Sequence, residues 1–140
     1  MNQKTRKAQS QRLPPWLTFD RSDRFTITSY SLMTSPAYQS LTPTQKELLH
    51  VAHGQHFWAG NNRPSAAELT FLSKDEVREC FFLNRAVAVK FGVYGEKSTK
   101  LSHDIKVLID RGFIKPVANG KANFKRSVYT YSEEWKRWRP

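Results

Sequence analysis

The sequence predicts an α+β fold, mainly helical, with a C-terminal β-hairpin and extra short helices. Three observations carry that expectation. Leu101, Ile105, Leu108 and Ile109 recur at helical spacing and run into Arg111-Gly112-Phe113-Ile114, an amphipathic helix followed by a sharp stop. Beyond the stop, two strand-like runs flank a basic segment that contains Asn119-Gly120, a dipeptide suited to a tight hairpin turn. Before it, Gly92 and Gly95 favour a turn between two helices. Helix, turn, helix and charged hairpin, in that order, describe a winged helix-turn-helix.

The elements can be justified in chain order. Residues 1–15 are polar and basic, and end in Pro14-Pro15; they read as a flexible arm before a single winged-helix domain over residues 16–140. Phe25-Thr26-Ile27-Thr28 alternates as a short strand would. Ser35 precedes Pro36 as an N-cap precedes a first-turn proline. Thr42, Pro43 and Gln45 form a capping box, and Leu48, Leu49, Val51 and Ala52 then give a helix to about Phe57. The stretch from Gly60 to Pro64 breaks it. Ser65 with Glu68, and Ser73 with Glu76, are two further capping boxes opening short helices.

Cys80, Phe81, Phe82 and Leu83 form a brief apolar strand. Asn84 can cap a short helix through Ala86, Val89 and Val93, although alternation from Leu83 to Val93 also fits one longer strand. Ser98 can cap the next helix, whose stripe is Leu101, Ile105, Leu108 and Ile109. Gly112 stands where a left-handed helix stop belongs. Residues 113–117 and Val128 to Tyr131 read as strands, and residues 132–138 as a last helix with acids first and bases last.

Composition narrows the function. The chain has 140 residues, 39% hydrophobic and 13% aromatic, which suits one domain with a real core. Lys and Arg number 23 against 12 acids, a net charge of +11, so polyanionic partners are favoured. The charge sits at the two ends. Residues 1–12 hold four bases and no acid, residues 46–79 hold four bases against five acids, and residues 111–140 hold eight bases against two acids. The single cysteine, Cys80, excludes an intramolecular disulfide and a Cys-pair zinc site; it reads as a small buried hydrophobe in a reducing compartment. No apolar run approaches a membrane span, and no secretory signal is expected.

Three phrases, "SPAYQSLTPTQKELL", "LSHDIKVLIDRGFI" and "NGKANFKRSVYTYSEEW", resemble the winged-helix domains of bacterial plasmid, phage and integrative-element replication proteins. The resemblance covers roughly residues 25–138. It implies double-stranded DNA as partner, a recognition helix carrying Ser98, Thr99, Lys100, His103 and Lys106, and a wing carrying Lys121, Lys125 and Arg126. Replication initiators of that group carry further domains, so the expectation is a stand-alone replication accessory or transcriptional regulator of a mobile element, in the bacterial cytoplasm.

The residue chemistry agrees with that implication. Lys97, Lys100 and Lys106 can neutralise phosphates or reach guanine acceptors, and Ser98, Thr99 and Ser102 can bond phosphate or base edges. Arg6 and Lys7 on the arm can add to the footprint as homeodomain arms do. Two half-sites per target would favour a homodimer. The competing expectation is a protein-interaction module that binds a replication or host protein without reading DNA; Trp138 or the acidic segment 65–79 would then matter.

Other chemistry is not expected. No paired carboxylates, phosphate-cradling glycine loop or nucleophile elbow is visible. Asp104 and Asp110 lie six apart on one helix and so on different faces, and His103 beside Asp104 is adjacency rather than a dyad. His50, His53 and His56, three apart, spread over a wide arc with no Cys or acid completing a ligand set, so neither metal nor cofactor is expected. Trp135 and Trp138 read as pins for the last helix, and Tyr129 and Tyr131 as packing residues rather than base-stacking ones.

Overall fold

The computed structural model describes Arg24, residues 26–58, Arg63, Pro64, Ala67, and residues 69–118 and 128–140. Among these residues the fold is α+β, with six helices and a three-stranded antiparallel sheet. The helices are α1 (Tyr30–Met33), α2 (Pro36–Gln39), α3 (Pro43–Trp58), α4 (Lys74–Arg78), α5 (Arg85–Lys90) and α6 (Leu101–Asp110). The strands are β1 (Cys80–Phe82), β2 (Ile114–Ala118) and β3 (Val128–Tyr131).

Local chemistry explains most starts and stops. Ser29 and Ser35 cap α1 and α2 by accepting from Leu32 N and Tyr38 N, each at 3.2 Å. The expected box opens α3: Gln45 N donates to Thr42 Oγ1 at 3.2 Å, and Thr42 N donates to Gln45 Oε1 at 3.0 Å. Ser73 and Glu76 make the same reciprocal pair at α4. Asn84 Oδ1 accepts from Val87 N at 3.0 Å, which decides the helix-or-strand ambiguity of residues 83–93 in favour of α5.

Helices α5 and α6 end alike. Val93 N donates to Ala88 O and Gly92 N to Val89 O; Phe113 N donates to Leu108 O and Gly112 N to Ile109 O, each at 3.0 Å. Gly92 and Gly112 sit at φ 73° and 85°, the left-handed position that such closures require. Phe113 is used in the second closure, so β2 begins one residue later than the alternation predicts.

Strand β3 is central in the order β1-β3-β2, with Phe81 opposite Tyr129 and Lys115 opposite Thr130. Pro116 lies on the edge strand β2, next to a register shift, where its missing N–H costs the ladder least. The sheet is covered on both faces. Phe81, Ile114 and Tyr129 join Leu48, Leu49, Ile105, Leu108 and Phe113 in the main core. Cys80, Phe82 and Val128 join Leu69 in a second cluster, against which Leu72 and Val77 pack. Each buried Leu or Phe stabilises by about 1.5–3 kcal/mol, so these clusters, rather than the short helices' own propensity, hold the elements in place.

Two expected elements are corrected. Residues 26–29 form no strand. Residues 132–138 hold only a three-residue 3₁₀ turn, Glu134–Lys136, because Trp135 N is drawn to Gly112 O at 3.1 Å and the chain follows α6's end instead of winding a helix. Helix α1 is an addition whose signal, Ser29 three residues before Leu32, was present in the sequence. The box at Ser65, the Asn119-Gly120 turn and the arm over 1–15 lie outside the described residues.

Candidate nucleic-acid interface

Helix α6 presents two different faces. Asp104, Ile105 and Leu108 are buried; Ser102, His103, Lys106 and Asp110 are exposed. The face division follows the sequence stripe. In the turn that leads in, Lys97, Thr99 and Lys100 are exposed and Ser98 is partly so. Among the described residues no acid forms an ion pair with Lys97, Lys100 or Lys106. On the sheet edge and the C-terminal turn, by contrast, Lys115 pairs with Glu134 at 3.1 Å and Lys136 with Glu133 at 3.2 Å. Three lysines without an ion pair among the described residues thus sit on the turn and the first two turns of α6.

Ser98 is not the N-cap. Lys100 occupies that position without a side-chain cap bond, and Ser98 sits two residues earlier, its hydroxyl accepting from Lys100 N at 3.3 Å. The helix starts later than the sequence implies because the Ser98 carbonyl is engaged elsewhere: Arg85 Nη2 donates to it at 2.7 Å, while Arg85 Nη1 donates to Glu96 O at 3.0 Å.

The inward face carries a polar group that sequence reasoning missed. Asp104 is 6% exposed. Its Oδ1 accepts from Gln45 Nε2 at 3.0 Å, and its Oδ2 from the Tyr94 hydroxyl. A buried carboxylate needs such donors to offset lost hydration. The available signal was Asp104 inside the apolar stripe; its partners, 59 and 10 residues away, could not be read. Burial first, then the bond to Asp104 and its charge, holds the Tyr94 hydroxyl above the ordinary tyrosine range.

The predicted wing residues Lys121, Lys125 and Arg126, and the arm residues Arg6 and Lys7, lie outside the described residues. Strands β2 and β3 on either side of the predicted wing do form an antiparallel pair.

The three histidines of α3 serve packing contacts. His50 bonds Thr28 Oγ1 at 3.2 Å and the Tyr38 hydroxyl at 3.1 Å. His53 lies 5.9 Å from the Tyr131 ring and His56 lies 6.2 Å from it. Burial, with the neighbouring His50 charge, lowers His53 to about 4. Among the described residues no group of three or more His, Cys, Asp or Glu is placed to hold a metal ion. His53 and His56 instead line an open cleft of about 370 Å³ with Thr26, Ile27, Glu79 and Tyr131.

Trp135 and Trp138 pack on the core as expected, though what they pin is the 3₁₀ turn and not a helix, and Tyr129 and Tyr131 are packing residues. Trp135 stacks on Phe113 at 6.2 Å, and Trp138 lies under the Arg111 guanidinium at 4.6 Å; both pack against the main core. Tyr131 stacks on Phe81 at 4.5 Å and donates to Ala52 O at 2.9 Å. Cys80 is buried, and burial raises its thiol above the usual range.

Among the described residues no helix is long and apolar enough to cross a membrane. No protein-family model, curated protein or solved structure matches the chain.

Proposed function

We propose that the chain is a DNA-binding protein of the winged-helix kind, acting as a replication accessory or transcriptional regulator of a bacterial mobile element. The observation that carries this is the exposed cationic ledge of Lys97, Lys100 and Lys106, none of them in an ion pair among the described residues, with His103 and Ser102 beside them, on a helix anchored from behind by Ile105 and Leu108. The order α3-α4-β1-α5-α6-β2-β3, with β3 central in the sheet, supports the winged-helix assignment, since two successive helices, α5 and α6, come directly before the antiparallel pair β2 and β3. Lysines on the ledge would neutralise phosphates, and Ser102 and His103 would face base edges.

Fluorescence anisotropy on duplex DNA at several salt concentrations tests the proposal. If about six phosphates are neutralised, affinity falls with a log–log slope near −5. Replacing Lys100 and Lys106 by alanine reduces that slope by roughly 2. Affinity indifferent to salt would end the proposal.

A second reading is a protein-interaction module. Ile27, Tyr30 and Met33 are 70%, 83% and 49% exposed, an apolar content at the surface that a DNA contact does not use. Pull-downs lost on changing Tyr30 and Met33, with Lys100 and Lys106 dispensable, would favour it.

A further inference from the structure

We infer that Arg85 is a positioning residue that aims the cationic turn before α6, and is not itself a phosphate contact. The inference rests on the nucleic-acid reading of that turn. Arg85 opens α5, directly after its Asn84 cap, and its exposed side chain carries a full charge near Lys97 and Lys100, so charge alone would assign it to the backbone of a bound duplex. The hydrogen bonds say otherwise. Both arms of the guanidinium are directed at main-chain oxygens of the turn, Nη1 to Glu96 O at 3.0 Å and Nη2 to Ser98 O at 2.7 Å.

Those two carbonyls bracket Lys97 and immediately precede Thr99 and Lys100, which are all exposed. Between Glu96 and the start of α6 the chain has no helix or strand, so hydrogen bonds fix its path. Ser98 N donates to Gly95 O at 3.1 Å, Ser98 Oγ accepts from Lys100 N at 3.3 Å, and Lys100 O accepts from Asp104 N at 3.0 Å. The fork thus feeds a continuous relay of bonds from α5 into the first turn of α6. A planar guanidinium with divergent N–H groups can hold two carbonyls two residues apart; an ammonium, a compact point charge, keeps the charge but not the fork. Side chains held in place before binding lose less freedom on binding.

This separates charge from geometry in one substitution. Full-length R85K and R85Q are compared with the unchanged chain by anisotropy on duplex DNA across a salt series, with thermal unfolding and backbone amide exchange measured alongside. Positioning predicts that R85K and R85Q weaken binding alike, by about tenfold. It also predicts faster exchange at residues 98–100 in both, with midpoints of unfolding near that of the unchanged chain. A phosphate contact predicts that R85K binds as the unchanged chain does, while R85Q loses about one unit of salt slope. That result overturns the inference and leaves the proposed function standing. If the unchanged chain shows no salt-dependent binding, the proposed function fails. Exchange then decides the geometric part, and rates at 98–100 that R85K leaves unaltered overturn it.

Discussion

Gln45 Nε2 donates to Asp104 Oδ1 at 3.0 Å, with both residues 6% exposed, and so joins the first turns of α3 and α6 across 59 positions of sequence. The other end of the same amide accepts from Thr42 N and closes the capping box. Gln45→Glu separates the two roles. A glutamate still closes the box, but it sets a second carboxylate against Asp104 in a buried site, where two such groups cannot both remain ionised. The expected cost at pH 7 is about 3 kcal/mol. It shrinks as the solution is acidified, because a protonated carboxyl can donate where the amide did. Urea unfolding of both proteins at neutral and mildly acidic pH measures this; equal stabilities would mean that the tie contributes nothing.

Tyr94 and Tyr131 supply an alkaline counterpart. Burial, the largest cause in each, raises both hydroxyls above the ordinary tyrosine range. A folded-state pKa above the unfolded value of about 10 means that the unfolded chain gives up these protons first. Stability is therefore intact below about pH 10 and declines as pH rises beyond it. Tyr94→Phe should start lower at neutral pH, by about 1–3 kcal/mol, since one oxygen of a buried carboxylate loses its donor. It should also lose less on alkaline titration. Thermal midpoints followed through that range check both; a parallel decline in the two proteins would contradict the assignment.

What the sequence made legible was local, and what it concealed depended on long-range partners. Thr42 with Gln45, Ser73 with Glu76, and Asn84 with Val87 are three residues apart, so their caps can be read directly. The stripe through Ile105 and Leu108, and the stop at Gly112, needed only one turn of context. Ser98 misled because its carbonyl answers to Arg85, thirteen residues back. The last helix failed for the same kind of reason, since Gly112 O captures Trp135 N from 23 residues away. At the candidate site, outward residues followed from periodicity, whereas the Asp104 anchor required knowing that Gln45 and Tyr94 converge on it.

His53 gives the chain an acid-side weakness. Its ring is largely withdrawn from water, and burial, aided by the His50 charge, brings it from 6.5 to about 4. The folded-state pKa is the lower one, so the unfolded chain takes up the proton first as pH falls. Stability is whole above about pH 6.5, drains between there and about pH 4, and the loss from this group levels off below, at about 3 kcal/mol. His50, also lowered by burial, adds in the same direction. His53→Gln, which does not titrate, should flatten the dependence in that window; an unchanged slope would move the cause elsewhere.

Gly112 and Gly92 form a matched pair that isolates one contact. Both have positive φ, 85° and 73°, so alanine at either carries the left-handed penalty of about 1–2 kcal/mol. They differ in surroundings. A Cβ on Gly92 meets nothing within 4 Å, whereas one on Gly112 would lie 2.6 Å from Trp135 N and 2.7 Å from Glu134 C. Those are backbone atoms of the 3₁₀ turn, which cannot swing aside as a side chain would. Gly92→Ala should therefore cost only the conformational term. Gly112→Ala should cost at least about 2 kcal/mol more, an overpacking penalty, by displacing the turn and loosening the Trp135 stack on Phe113. Urea unfolding monitored by tryptophan fluorescence reads both effects. Equal costs at the two glycines would show that residues 134–136 yield freely, and that the C-terminal turn is a passive cover and not a clamp on the end of α6.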